Sequence, residues 1–258
     1  MPARGADAAW QLIWSDEFDQ AGLLDPKKWD YETGFVRNKE SQLYTAARPE
    51  NARVENGHLI IEARKERYAS PSARSDLADY TSASVITRGK AEWKYGRFEI
   101  RAKLPAGRGI WPAIWMLGTN RGKVKWPECG EIDVMEFVGF MPGTIHGNVH
   151  LPARYAPGAN PIAAKMKGTV DVSKPFESFH VYAVEWDAEH ISFFLDENCY
   201  LTYANPHTGV AAWPFDQPFY LLLNVAVGGS WGGQKGIEES IFPQRMEVDY
   251  VRVYRRAN

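Results

Sequence analysis

Three carboxylates fall close together in Gly130-Glu131-Ile132-Asp133-Val134-Met135-Glu136-Phe137-Val138, interleaved with large apolar residues. On a plain β-strand side chains alternate, so Glu131 and Asp133 point to one face. Glu136 then points to the other face, into a core, where an unpaired carboxylate is costly. A β-bulge around Met135 removes the conflict, because one extra residue returns Glu136 to the face of the other two. With the bulge, Glu131 and Glu136 stand roughly 13 Å apart at Cα. Two glutamates leaning together close about half of that span and approach the ~5–5.5 Å carboxyl separation of a retaining glycosidase, with Asp133 between them. Three like charges at this spacing cannot all ionise freely, so at least one pKa rises, which yields a proton donor beside an ionised nucleophile. The same residues also suit a solvated acidic face with Lys or Arg counter-ions, or a metal site with His146 and His150 as further ligands. The segment alone leaves all three readings open.

Such a segment has to be held by a sheet, and the dominant period of the chain is two. Arg97, Glu99, Arg101 and Lys103 alternate with Phe98, Ile100, Ala102 and Leu104, the pattern of a half-buried strand. His180 to Trp186 alternates in the same way, and Ile191, Phe193 and Leu195 resume the pattern after a break at Asp187-Ala-Glu. Asn56-Gly57 between two β-rich runs is a two-residue hairpin signal. Phe219 to Val227 is a near-continuous apolar run that reads as a strand buried on both faces, and Val248 to Tyr254 is a last β-rich run. Helical signals are thin; short helical turns near Ser75 to Tyr80 are compatible with the sequence, and none is relied on. Many strands, frequent Gly and Pro breaks and few helices predict an all-β chain: an antiparallel β-sandwich of jelly-roll type. Residues 1–9 read as a disordered lead-in and residues 10–258 as a single domain without internal repeats. The Pro152 to Lys167 segment, rich in Pro, Ala and Gly, reads as a lid, a rim or a plain connection.

The 258 residues carry 30 Lys+Arg against 32 Asp+Glu, a net charge of -2. That balance argues against nucleic-acid binding as the main activity, since phosphate recognition needs a positive footprint. No apolar run approaches the ~20 residues of a membrane span. Cys129 and Cys199 are too few for a disulfide scaffold or a zinc cluster, and the sequence does not say whether they pair. Ten Trp, twelve Tyr and twelve Phe suit a thick sheet core, a cleft lined with flat rings for a sugar, or both.

Two segments, Trp111-Pro-Ala-Ile-Trp115-Met and Trp126-Pro-Glu-Cys-Gly130-Glu131-Ile-Asp133-Val-Met-Glu136, resemble the signature of glycoside hydrolase family 16. The match is to its laminarinase-like branch, whose Glu-x-Asp-x-x-Glu pattern has the bulge residue that the lichenase branch lacks. Trp14-Ser-Asp-Glu-Phe-Asp, Asn51 to Glu62, Tyr95-Gly-Arg-Phe-Glu, Val227-Gly-Gly-Ser-Trp231 and Val248-Asp-Tyr-Val-Arg-Val-Tyr extend the resemblance over nearly the whole chain. It implies a concanavalin-like jelly roll with a substrate cleft on the concave sheet, and endo-cleavage of β-glucans with retention. Carried over, Glu131 is the nucleophile, Glu136 the acid and then the base, and Asp133 the electrostatic helper between them. His150 matches a family histidine on the neighbouring strand; by period two His146, Asn148 and His150 share a face, so at least one should meet the cleft. Trp115, Trp126 and Trp231 match sugar-contacting tryptophans, with Trp111 a weaker candidate that also reads as core. Asn38 and Glu40 resemble a loop near the non-reducing end of the cleft. The family further implies one structural Ca²⁺ on the convex side, held here by Glu17, the Gly57 carbonyl and Asp249, oxygen donors of the kind calcium takes. Leu151 stands where some laminarinases carry Trp, and Ser84 where others carry Arg; these departures bear on substrate choice. The expected activity is hydrolysis of β-1,3-glucan by a monomer with no membrane partner. Mixed-linkage β-1,3-1,4-glucan hydrolysis, transglycosylation at the same site, and a non-catalytic β-glucan-binding protein are the alternatives. A polymeric substrate places the protein outside the cell or in the periplasm, although the N-terminus lacks the apolar run of a signal peptide.

Overall fold

The computed structural model describes residues 10–69, 77–156 and 166–257. Seventeen strands form two sheets. One is a ten-stranded sheet in the order β15 (Asn198–Ala204), β14 (His190–Leu195), β13 (His180–Trp186), β8 (Gly96–Lys103), β17 (Gln244–Arg256), β5 (His58–Ala69), β6 (Leu77–Ser82) and β3 (Gln42–Tyr44). Two further strands join it: β1 (Trp10–Asp16) pairs with β17 and β4 (Ala52–Glu55) with β5. The other sheet has seven strands, in the order β12 (Lys167–Asp171), β11 (Thr144–His150), β10 (Glu131–Glu136), β9 (Ile110–Gly118), β16 (Phe219–Val227), β7 (Ser84–Ile86) and β2 (Asp30–Glu32). Every strand pair is antiparallel except β3 with β6. The expected antiparallel jelly-roll sandwich is therefore the observed architecture, with that one parallel pair as an addition.

The alternations read from the sequence set the core. In β8, Phe98, Ile100 and Ala102 are buried while Arg97, Glu99, Arg101 and Lys103 line the outer face. The Asn56-Gly57 turn pairs Glu55 with His58, and both turn residues have positive φ, 54° and 78°, as a two-residue primed turn requires. β9 and β16 are buried throughout and paired along their whole length, from Phe219 opposite Gly118 to Val227 opposite Ile110. Their alternate residues serve two interiors. Ile110, Ile114, Met116, Phe219, Leu221, Leu223, Val225 and Val227 enter the core between the sheets. Trp111, Ala113, Trp115, Leu117, Tyr220, Leu222 and Ala226 pack on the opposite face in two smaller clusters. Each large apolar side chain so buried contributes about 1.5–3 kcal/mol.

Two sequence expectations are corrected. Leu77–Ser82 is a strand, not a helical turn, because its backbone pairs with β5 and the pairing buries Ala78, Tyr80, Thr81 and Ser82; Ser75 and Asp76 lie outside the described residues. The Pro152 to Lys167 segment is not a plain loop at its start: Pro152–Tyr155 forms a short helix, α1, and β12 begins at Lys167. Residues 157–165 and the lead-in at 1–9 lie outside the described residues. Cys129 is buried and Cys199 exposed, and both are free thiols. Among the described residues no helix is long and apolar enough to cross a membrane.

Candidate active site

β10 carries the acidic segment, and its pairing slips where the sequence demands it. Glu131 lies opposite His150 and Asp133 opposite Asn148, but Glu136 lies opposite His146, so three steps on β10 match two on β11. Against β9 the shift falls between Asp133 and Met135. Val134 and Met135 are both fully buried in the core, and Glu131, Asp133 and Glu136 all line one cavity on the far face of the seven-stranded sheet. The expected bulge is present and does what the parity argument requires of it.

The three acids sit in different hydrogen-bond settings. Glu131 Oε2 accepts a bond from Trp126 Nε1 at 3.0 Å. Glu136 accepts from Trp111 Nε1 at 3.2 Å on Oε1 and from Asn148 Nδ2 at 2.9 Å on Oε2. Asp133 is 3 % exposed. Its Oδ2 lies 3.0 Å from His150 Nε2, out of line for a hydrogen bond, and is unpartnered among the described residues. His150 Nε2 is also 3.6 Å from Glu131 Oε1. Burial, reinforced by the charge of Asp133, pushes Glu131 and Glu136 up to about 8. Burial likewise raises Asp133 to about 7, partly offset by the charge of Arg154. Burial pushes the His150 imidazole below its usual value, against the pull of Glu131. The cluster therefore enters the neutral range holding protons, and its titrations belong to the group rather than to single residues.

The cleft around the acids consists of two joined cavities of about 300 and 720 Å³ that share Asn38, Trp111, Trp126, Glu131 and Glu136. The smaller extends over Arg37, Glu40, Trp115 and Asn224; the larger over His146, Asn148, His150 and Trp231. Trp126 is 45 % exposed beside Glu131, and Trp231 packs edge-on against Trp111 and His146. Trp115 is 7 % exposed, lies under the Arg37 guanidinium at 4.8 Å and donates to Asn224 Oδ1 at 2.8 Å, so it forms the floor. Trp111 is both packed and functional in placement, with its indole nitrogen on Glu136. Asn38 takes a positive φ of 54° and bonds the buried Glu40, which also accepts from Gln42 and Tyr44. All three of His146, Asn148 and His150 face the cleft.

A family model described as glycosyl hydrolases family 16 matches residues 39–252, a span that contains all three acids. The chain belongs to glycosyl hydrolases family 16. The beta-glucanase of Rhodothermus marinus is 51 % identical over 255 residues, covering 95 % of this chain and 85 % of that protein. The structure of the laminarinase from Rhodothermus marinus superposes with a TM-score of 0.88 at 50 % identity, over 97 % of this chain and 99 % of that one. SCLam, a non-specific endo-beta-1,3(4)-glucanase of the same family, gives 0.89 at 43 % identity over 100 % of this chain and 95 % of that one.

In this family 16 chain the sequence reading missed several residues of the cleft. Arg37 reaches it only because its side chain pairs with Glu32 on β2 and stacks across the sheet on Trp115. Asn224 was visible as the single polar break in the β16 run. Tyr155 had no signal, since its position depends on how α1 folds back beside His150. The three positions expected to bind calcium lie near one another by strand register. β5 pairs with β17 up to Leu59 opposite Val248, and β1 pairs with β17 from Asp16 opposite Val251. Gly57, Asp249 and Glu17 therefore stand at the junction where the two strands meet. Both carboxylates are occupied by cations of the protein: Glu17 takes a two-pronged contact from Arg252 at 3.0 and 2.8 Å, and Asp249 bonds Arg101 at 2.6 Å with His58 at 3.6 Å. The donor types fit a hard cation, and a bound ion must displace these guanidinium groups.

Proposed function

We propose that this chain is a retaining endo-β-1,3-glucanase. One observation carries the reading: the β10 bulge puts Glu131, Asp133 and Glu136 on the sugar-facing floor of a tryptophan-lined cleft. Glu131 attacks the anomeric carbon and forms the glycosyl-enzyme while Glu136 protonates the leaving oxygen. Glu136 then deprotonates the incoming water. Asp133 keeps a proton next to Glu131 and so lets Glu131 act as the anion. Trp111 and Asn148 hold Glu136 in place through both of its oxygens. Trp126, Trp231 and His150 offer sugar contacts along the cleft, with Trp115 and Asn38 at the Arg37 end.

The relatives support β-1,3-glucan as substrate, and the SCLam likeness supports acceptance of mixed β-1,3-1,4 linkages as well. The substrate is a polymer, which supports action outside the cytoplasm. Every residue named for the cleft comes from this chain, so the reading requires no second copy. Structural calcium at Glu17, Gly57 and Asp249 belongs to the same reading, supported by the strand register that brings these three oxygen-bearing positions to one stretch of β17. Reducing-sugar release from laminarin, with the product anomer followed by NMR, tests the activity: β-anomer forms first. Azide assigns the two glutamates. Glu131→Ala with azide gives the α-glycosyl azide, because azide takes the place of the nucleophile; Glu136→Ala gives the β-azide from the covalent intermediate. The reverse pattern would exchange the two roles.

A further inference from the structure

α1 follows directly on the strand that carries His150 and sets one side chain, Tyr155, against the acidic cluster. The Tyr155 ring stacks on His150 with centroids 6.1 Å apart and planes within 13°. The same ring packs on Trp126 at 5.1 Å. The Tyr155 hydroxyl and His150 Nδ1 are hydrogen-bonded. With Nδ1 engaged, His150 presents Nε2 to Glu131 Oε1 at 3.6 Å and Asp133 Oδ2 at 3.0 Å. Trp126 addresses the other oxygen of Glu131. The two groups that flank Glu131 thus both lean on one phenol ring. The helix that offers it is fastened: Ala153 N–H donates to the Ala211 carbonyl at 2.9 Å and Arg154 Nη1 to the Val149 carbonyl at 2.7 Å.

We propose that Tyr155 is a positioning residue for the nucleophile: it clamps Trp126 by its ring and, by its hydroxyl, holds His150 with the ring proton on Nε2, facing the Glu131–Asp133 pair. The proposal rests on the assignment of Glu131 given above. Burial pushes the phenol up to about 12, so it keeps a proton to donate throughout the working range. A donor on Nδ1 fixes the tautomer, because only one ring nitrogen of a neutral histidine carries a proton. The charged groups facing His150 are Glu131, Asp133 and Glu136 from β10 and Arg154 from α1, with Lys167 of β12 across the cavity. The acids draw the proton to Nε2, and the buried, otherwise unpartnered Asp133 Oδ2 is its nearest acceptor.

Tyr155→Phe keeps the ring and removes the hydroxyl; Tyr155→Ala removes both. Tyr155→Phe should lower kcat on laminarin about tenfold, the lower end for loss of a partner that orients a functional group, with KM changed less than about twofold. The acidic limb of its kcat/KM profile should move to higher pH, because the Glu131–Asp133 pair loses the Nε2 proton that faces it and favours its singly ionised form. In ¹⁵N NMR of the folded protein the His150 Nδ1 resonance should move to that of an unbonded acceptor. Tyr155→Ala should add a rise in KM as Trp126 loosens. A Tyr155→Phe variant with the wild-type limb and the wild-type His150 resonance overturns the proposal, as does an effect confined to KM. If the wild type fails to cleave laminarin, the glucanase reading falls, and the resonance comparison still decides the Tyr155 contact.

Discussion

Glu131 and Glu136 have similar surroundings in bulk but different partners, and the difference separates their roles. Glu136 is fixed at both oxygens by donors from β9 and β11, the setting of a group that must deliver and retrieve a proton at one point in space. Replacing it by Gln removes the proton donor and should lower laminarin turnover by about 10²–10⁴-fold. Activity needs the cluster short of one proton, so that Glu131 is anionic, while Glu136 keeps its own. The rate should rise with the first ionisation and fall again near pH 8 as Glu136, raised to about 8, loses its proton; the pH profile of kcat/KM reads both limbs. The same raised values act on stability. A carboxylate with a folded pKa of about 8 against 4.5 favours the folded state below pH 4.5, and this contribution is lost as pH rises through 8. Glu131→Gln keeps an acceptor for Trp126 and carries no charge to desolvate. It should be inactive yet melt a few degrees above the wild type at pH 8, and the gain should vanish near pH 4; an unchanged melting temperature at pH 8 would show that burial costs Glu131 nothing.

The bulge in β10 makes a sharper claim about strands. Between Asp133 and Glu136 it inserts one residue that β11 does not match. Deleting Met135 leaves Glu-Ile-Asp-Val-Glu, a regular alternation that keeps the three acids on the cleft face and leaves the later pairings intact. That variant should retain measurable hydrolysis. It should also melt lower, since removing a fully buried methionine costs about 2–5 kcal/mol. Deleting both Val134 and Met135 turns the second glutamate into the core and should abolish activity. If the single deletion is as dead as the double, parity does not control the site. Parity is also why this strand was legible in the sequence: three acids and five apolar residues at fixed spacing admit one arrangement without a carboxylate in the core between the sheets. The Asn56-Gly57 turn and the β16 run were legible for similarly local reasons. Leu77–Ser82 was not, because Leu-Ala-Asp-Tyr-Thr-Ser lacks a clean alternation and gains its strand form from β5 and β3. Arg37 over Trp115 and Tyr155 over His150 were illegible because each contact joins elements that only the finished fold brings together.

Across the sandwich, the cleft and the β1–β5 junction lie in different sheets, so an ion at Glu17, Gly57 and Asp249 touches the chain ends and not the acids. Chelation should lower the melting temperature and leave the rate at low temperature largely unchanged; immediate loss of activity in a folded protein would place the metal at Glu131, Asp133 and His150 instead. β9 runs through the middle of the cleft sheet with both faces buried, and its odd-numbered positions look toward sugar while Ile110, Ile114 and Met116 look toward the opposite sheet. Saturation mutagenesis of those nine consecutive codons should therefore sort into two interleaved phenotypes, altered linkage or chain-length preference at one codon and lost thermal tolerance at the next. A lineage could exchange one diet of polysaccharide for another along this ribbon while its neighbours in the same stretch of gene stay frozen.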